Sequence, residues 1–310
     1  MPASFHQLRS GVWTPLGDVG PSPTTMLVGA ANTIPNSNES GWLTYAATVP
    51  GPQTVRRTYS SEAAGVPSSW AVTGAGSDVG KRASVWSFKP NITQMASGAL
   101  DAQVTNLISS IPDTHVAMLA LWAEADRHVR LGAFTAAQWR AAHTRFASIV
   151  RAVGKPRVWI YLSHTSYLWD PINTRGPAPE DVWPGDGQVD IYGQDGYGYA
   201  TWPDPETLFG GGLAEARSRN VPWGIFESGA DEHPSDATRK SNWMTSVADW
   251  AATQGSGGRP GCEALVWFNS AVGLDEDAFG PATPSSSPQA LAAAGAIATT
   301  YYRDWATYTL

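Results

Sequence analysis

The sequence is nearly devoid of cysteine: Cys262 is the single thiol in 310 residues. One thiol excludes an intramolecular disulfide framework and any zinc site built from cysteines, and its expected state is a buried side chain. Positive charge is also in short supply. Lys and Arg total 20 against 27 Asp and Glu, giving a net charge of −7 and a pI near 5.3. That balance argues against nucleic acid or an anionic membrane surface as partner and favours neutral or cationic ones. Apolar runs fall far short of the roughly 18 residues that a membrane span needs. The opening MPASFHQLRSGVWTPLG lacks a basic start followed by an apolar stretch, so no leader is read there. Localisation stays open, because a removed leader or carriage by a larger assembly leaves the same sequence and still allows extracellular action.

Several motifs are missing too. The six histidines show no His-Glu-x-x-His or similar ligand spacing, so neither a metal nor a cofactor is expected. No Gly-x-Ser-x-Gly elbow is present, which argues against an α/β-hydrolase. Residues 74–81 (GAGSDVGK) approach a phosphate loop, but the glycine spacing is wrong and Arg82 stands where Ser or Thr would hold magnesium; the segment reads as a flexible loop.

What is abundant is tryptophan, fifteen residues of it. An indole joins a broad apolar face to one donor, which suits both core packing and stacking on sugar rings. Eight short runs rich in Val, Ile, Leu and aromatics recur: 26–31, 54–59, 83–88, 115–122, 157–163, 188–193, 222–227 and 263–268. Segments of helical periodicity and polar loops separate them, the pattern of βα units on a parallel sheet, and eight is the number a closed barrel requires. The expected fold is therefore α/β, a single-domain (β/α)8 barrel over 25–310, with 1–24 as a peripheral arm against the barrel bottom. Amphipathic segments at 99–111, 239–253 and 288–306 supply helices. The clearest one follows the fourth run: Thr135 and Gln138 have capping-box spacing, Trp139, Ala142, Phe146, Ile149, Val150 and Val153 share a face, and Gly154 then Pro156 end it. The long connections 33–53, 164–187 and 269–287 should lie at the catalytic mouth.

Two acids stand at strand ends. Glu124 in LALWAEAD closes the fourth run and Glu227 in VPWGIFESGA closes the seventh. Strands four and seven lie across the mouth from each other, so their carboxyls can flank a sugar, one protonating the departing oxygen while the other attacks. The segment LALWAEADRHVRLGAFTAAQWRAAHTRF resembles the acid/base segment of glycoside hydrolase family 26 and its clan A relatives, which are retaining barrel glycosidases. VPWGIFESGA is similar to their nucleophile strand, and VDIYGQDGYGY to the sixth-strand run whose tyrosine supports the nucleophile. The resemblance implies Glu124 as acid/base, Glu227 as nucleophile, Tyr197 as the supporting hydroxyl and Trp267 in ALVWFNS as the floor of the nearest subsite. It departs at Ala123, where the relatives have His, and at Ser228, where an aromatic is usual.

Other residues near the mouth are weighed as substrate ligands. Asp126 either binds sugar hydroxyls or starts a loop; Asp195 reads as a turn former or a ligand contact. Lys89, just before Pro90, either enters the mouth or is solvated. Of Arg56 and Arg57, one should alternate inward and pair with a catalytic carboxylate. Trp86, Trp122, Trp169 and Trp183 are stacking platforms or core, and His164 is a loop residue or a substrate contact. The expected function is an endo-acting retaining hydrolase of a β-linked polysaccharide, mannan-like or a related cell-wall glycan, acting as a monomer. The alternative is a non-catalytic carbohydrate-binding barrel of a viral or cell-surface adhesin.

Overall fold

The structure is a computed structural model that describes residues 6–9, 12–15, 25–32, 38–170, 173, 176–199, 201–269 and 288–310. An antiparallel hairpin, β1 (His6–Arg9) with β2 (Val12–Pro15), comes first. The proposed packing of 1–24 against the barrel bottom otherwise lies outside the described residues, as does most of the 269–287 connection. All eight apolar runs then form strands: β3 (Leu27–Asn32), β4 (Val55–Ser60), β5 (Ala83–Phe88), β6 (Ala117–Leu121), β7 (Val158–Thr165), β8 (Ile191–Gly198), β9 (Trp223–Ala230) and β10 (Ala264–Asn269). They pair in parallel, and β10 closes on β3 to complete a barrel. The fold is thus the (β/α)8 barrel that the spacing predicts.

Two apolar clusters explain the layering. One contains strand residues together with helix residues, among them Leu119, Leu265, Trp267, Trp139 and Phe146, and forms the shell between barrel and helices. The other is made of strand and strand-flanking residues such as Val55, Val85, Met118, Tyr161, Phe226 and Val266, joined by Tyr308, and fills the barrel interior. Successive strand side chains alternate between the two layers. Because both faces are buried, the strands carry unbroken apolar runs rather than an alternating pattern.

Among the described residues, eight α-helices cover the barrel unevenly. They are α1 (Glu39–Thr48), α2 (Ile92–Ser97), α3 (Asp101–Ser109), α4 (Ala125–Arg130), α5 (Ala136–Val153), α6 (Pro205–Ser218), α7 (Arg239–Thr253) and α8 (Pro288–Thr300). Among the described residues, β4 and β7 are followed only by short 3-10 turns, while β5 and β6 are each followed by two helices. The capping box forms as predicted: Gln138 N–H donates to Thr135 Oγ1 at 3.2 Å and Thr135 N–H to Gln138 Oε1 at 2.8 Å. Such a cap contributes about 1 kcal/mol. No helix among the described residues is long and apolar enough to cross a membrane.

The 74–81 segment is no loose loop. Gly74–Asp78 is a 3-10 turn, and Asp78 is buried against Arg56, Arg82 and Ser84. Arg56 also pairs with Glu39 of α1, so this outward-facing cluster fastens the first helix to β4 and β5. At the opposite end of the barrel from the mouth, the chain terminus forms a plug. Tyr308 enters the interior and donates to Glu263 at 2.9 Å, while Arg157 reaches the carbonyls of Trp305, Ala306 and Tyr308.

Candidate active site

The C-terminal ends of β4, β6, β8 and β9 bring four charged side chains together. Arg57 lies on the inward parity of β4 with Val55 and Tyr59, whereas Arg56 faces the helices. Its guanidinium takes Asp195 through Nη1–Oδ1 at 3.0 Å and Nη2–Oδ2 at 3.2 Å, and reaches Glu227 Oε1 from Nη2 at 2.9 Å. Arg57 and Asp195 are wholly buried, and the Glu227 side chain is 8% exposed. Tyr59 donates to Glu227 Oε1 at 2.7 Å and Tyr197 donates to Oε2 at 2.5 Å. Both oxygens of Glu227 are therefore fixed by donors.

A local irregularity aims Glu227. Along β9, Ile225 belongs to the outer shell and Phe226 to the interior, so strict alternation would send Glu227 outward. The register with β8 shifts instead, Gln194 opposing Ile225 and Asp195 opposing Glu227, which leaves Phe226 as the extra residue. The bulge turns two consecutive side chains inward, a recurrent way to re-aim a functional group. Gly193 makes room for it: a Cβ there would lie 2.4 Å from Phe226 Cδ2 and 2.5 Å from the Leu162 carbonyl oxygen.

Glu124 faces this cluster from the turn between β6 and α4. Its N–H donates to the Ser163 carbonyl at 2.9 Å, and its backbone is left-handed, with φ 58° and ψ 44°. One carboxylate oxygen each from Glu124, Asp195 and Glu227 lie within 4.8 Å of one another. Burial, then the negative charges of Glu227, Asp195 and Asp126, push the Glu124 carboxyl up to about 8. Burial also raises Asp195, against the opposing pull of Arg57. The Arg57 guanidinium is committed to Asp195 and Glu227, whereas the cation at Glu124 is Arg127, more distant at 3.8 Å. Glu124 is accordingly the carboxyl that retains a proton. These three acids are also the only group with metal-ligand spacing among the described residues. The oxygens of Asp195 and Glu227 already serve Arg57, Tyr59 and Tyr197.

The remaining expected residues divide. Lys89 is half-buried beside Glu124, its ammonium 3.1 Å from His128 Nε2 and 5.4 Å from the Trp122 ring centre. Asp195 is no turn former; it is a buried strand residue paired with Arg57. Asp126 is spent on structure, accepting from the Thr165 N–H at 3.1 Å and from its hydroxyl at 2.5 Å. Burial raises it to about 6. His164 belongs to β7 rather than a loop and faces the shell, where its Nδ1 lies 2.9 Å from the Tyr192 hydroxyl. Burial lowers it to about 3.

The tryptophans are the largest correction. Trp267 is wholly buried in the shell, so it has no face to offer a sugar; Phe268, the next residue, points inward and meets the Tyr197 ring at 6.0 Å. Trp122 is 5% exposed, its indole donating to the Pro90 carbonyl and its ring edged by His128 and Phe134. Trp169 packs against α6 at Gly211, Trp86 stacks on Phe88, and Trp183 lies under Arg219. Two mouth aromatics escaped the sequence reading: Tyr59, and Tyr199, which stacks on Tyr197 at 5.4 Å. Tyr59 stands two residues from Arg57, so the period-two rule that turned Arg57 inward was the signal for it.

No protein-family profile and no curated protein sequence matches the chain. Solved structures do resemble it. A fungal β-1,4-galactanase structure aligns with TM-score 0.60 at 13% identity, covering 88% of this chain and 100% of that one. A β-mannanase of glycoside hydrolase family 26 from Bacteroides ovatus aligns with TM-score 0.53 at 14% identity, over 90% of this chain and 89% of that one. An endo-β-mannanase/endo-β-glucanase from Prevotella bryantii aligns at TM-score 0.54 and 13% identity; the match covers 87% of this chain but only 43% of that longer protein. At these identities the likeness establishes the fold: the chain is a (β/α)8 barrel of the kind on which family 26 mannanases and β-1,4-galactanases are built.

Proposed function

We propose that the protein is a retaining glycoside hydrolase that cleaves a β-linked polysaccharide, with Glu227 as nucleophile and Glu124 as general acid and base. The observation that carries this reading is the approach of the Glu124 and Glu227 carboxylate oxygens to within 4.8 Å. Retaining glycosidases hold their carboxyls about 5–5.5 Å apart, whereas inverting ones leave about 6.5–9.5 Å for a water. The protonation pattern agrees, because the donor acid is the one pushed to about 8 and the attacking acid is the one held by Arg57, Tyr59 and Tyr197.

In the first step a Glu227 oxygen bonds to the anomeric carbon as the glycosidic C–O bond breaks, and the Glu124 proton passes to the leaving oxygen. Oε1 already accepts from two groups and Oε2 from one, so Oε2 has more lone-pair capacity for attack. In the second step Glu124 takes a proton from water, whose oxygen attacks the same carbon and frees Glu227. Tyr199 and Phe268 supply aromatic surface beside Tyr197, suited to a sugar ring. The mannanases and galactanases that share the fold act on β-linked hexans, which makes a mannan-like or galactan-like chain the first substrate to assay.

Proton NMR of the first products, taken before mutarotation, tests the reading. Retention of the β anomer is expected, together with loss of turnover in Glu124→Gln and Glu227→Gln and rescue of Glu227→Ala by azide with an inverted glycosyl azide. An α anomer from the parent enzyme would overturn the mechanism. Binding of oligosaccharides without cleavage by the parent would favour a carbohydrate-binding module instead.

A further inference from the structure

The side of the mouth that carries Glu124 is cationic in a way the reaction does not require. Lys89 follows β5, and Arg127 and Arg130 lie on α4 after β6, so two neighbouring strand ends contribute cations; Tyr167 follows β7. Lys89 Nζ is 3.1 Å from His128 Nε2. An ammonium can only donate, so His128 accepts as a neutral imidazole and brings no negative charge. Arg127 Nη1 is 3.8 Å from Glu124 Oε2, a contact that is ionic only while Glu124 is ionised. The Arg130 guanidinium lies 5.0 Å from the Tyr167 ring centre. Asp126, the acid on this helix, is buried and engaged by Thr165.

The consequence appears when Glu124 carries the proton it must deliver. Among the described residues, Arg127 then has no ionised partner and Lys89 forms no ion pair at all. Both are half-buried, so water screens them less than it would on open surface. The segments after β8 and β9 carry Asp204, Asp231, Glu232 and Asp236, of which Glu232 pairs with Lys240 at 3.3 Å. A chain with net charge −7 has no general attraction for polyanions, so a local pair of unneutralised cations beside the acid points to recognition of one group.

We infer that Lys89 and Arg127 form a subsite for an anionic substituent, a uronate carboxylate or a sulfate ester, on the sugar that departs when Glu124 protonates the glycosidic oxygen. This rests on the hydrolase reading. Arg127 would exchange its contact with Glu124 for the ligand oxygens, and Lys89 would add a second charge from its place 5.4 Å from the Trp122 ring centre.

Calorimetric titration of the Glu124→Gln protein, whose residue 124 mimics the protonated acid and blocks turnover, tests the subsite. The probes are three β-linked oligosaccharides of equal length: neutral, uronate-bearing and O-sulfated. At least one anionic probe should bind about tenfold more tightly than the neutral one at low salt, and the gap should shrink as salt is raised. Preference for the uronate alone, the sulfate ester alone or both identifies the source of the anion. In a Glu124→Gln background, Lys89→Gln with Arg127→Gln should bring the affinity ratio close to one, and Lys89→Arg should keep it. Equal binding of all three probes, or a preference that survives in the doubly neutralised protein, would overturn the subsite. Cleavage of the same probes by the parent is scored separately: no cleavage of any glycan removes the hydrolase reading, whereas cleavage with an affinity ratio of one removes only the anionic subsite.

Discussion

Arg57 and Asp195 form a buried pair from strands β4 and β8, joined through both guanidinium terminal nitrogens and both carboxylate oxygens. The same guanidinium holds Glu227, so one cation fixes two acids at the barrel mouth. Arg57→Met should leave both acids buried without their cation, with only the tyrosine hydroxyls still donating to Glu227. Removal of one member of a buried pair costs about 3–5 kcal/mol, and urea denaturation should show a loss of that size together with loss of turnover. A change below about 1 kcal/mol would mean that the pair behaves like a surface contact.

The tyrosine donors should be separable. Tyr59→Phe and Tyr197→Phe each remove one hydrogen bond from Glu227 while keeping the ring. Loss of a donor to a charged group is worth about 1.5–3 kcal/mol, so kcat/KM should fall about 10- to 100-fold in each, with the double variant lower still. Unchanged kinetics in Tyr59→Phe would remove that residue from the site.

Glu124 sets the pH behaviour. Its ordinary value of 4.5 applies to the unfolded chain, whereas burial and the neighbouring carboxylates carry it to about 8 in the folded protein. The folded state therefore binds the extra proton between those values, and stability contributed by this group is present below 4.5 and lost as pH rises toward 8. Activity should likewise fall as pH climbs through about 8, where the acid loses its proton. Glu124→Gln abolishes the titration, so its urea midpoint should gain on the parent progressively from mildly acidic to mildly alkaline buffer. Parallel curves for the two proteins would show that Glu124 is not the proton holder.

Gly193→Ala probes the bulge. The new Cβ has no space beside Phe226 and the Leu162 carbonyl, and overpacking of this kind costs about 1–3 kcal/mol. Thermal melting should register the loss, and kcat should drop more than KM changes, because the strand that aims Glu227 must shift.

The terminal plug gives a test remote from the mouth. Tyr308→Ala empties a position in the barrel interior and removes a donor from Glu263. Large-to-small changes of buried aromatics cost about 3–5 kcal/mol; Tyr308→Phe, which loses only the hydroxyl, should cost about 1 kcal/mol. Equal melting temperatures for the two variants would contradict the plug.

Sequence reading recovered the eight strands, the Thr135–Gln138 helix cap and the approach of Glu124 to Glu227, because each depends on run length, local spacing or strand-end position, while the family resemblance supplied Tyr197. Facing was the harder matter. Both sides of a barrel strand are apolar, so nothing in ALVWFNS distinguishes Trp267 from Phe268, and a slip of one residue exchanges shell for interior. Asp195 stood next to a glycine and looked like a turn, yet the strand continues through Gly198. Its partner lies 138 positions away in Arg57, a distance no local pattern reports. Tyr59 was open to inference once Arg57 had been turned inward. The abundant tryptophans suggested sugar platforms, but Trp86, Trp122 and Trp267 are buried.

The left-handed backbone at Trp122 and Glu124, with φ of 52° and 58°, has an evolutionary corollary. Such geometry costs a side chain larger than glycine about 1–2 kcal/mol. Glycine or asparagine at position 124 relieves that tension and removes a buried acid as well. Selection for heat tolerance alone would therefore replace Glu124 early, and a library sorted only by melting would drift away from the residue to which the proposed mechanism assigns the proton.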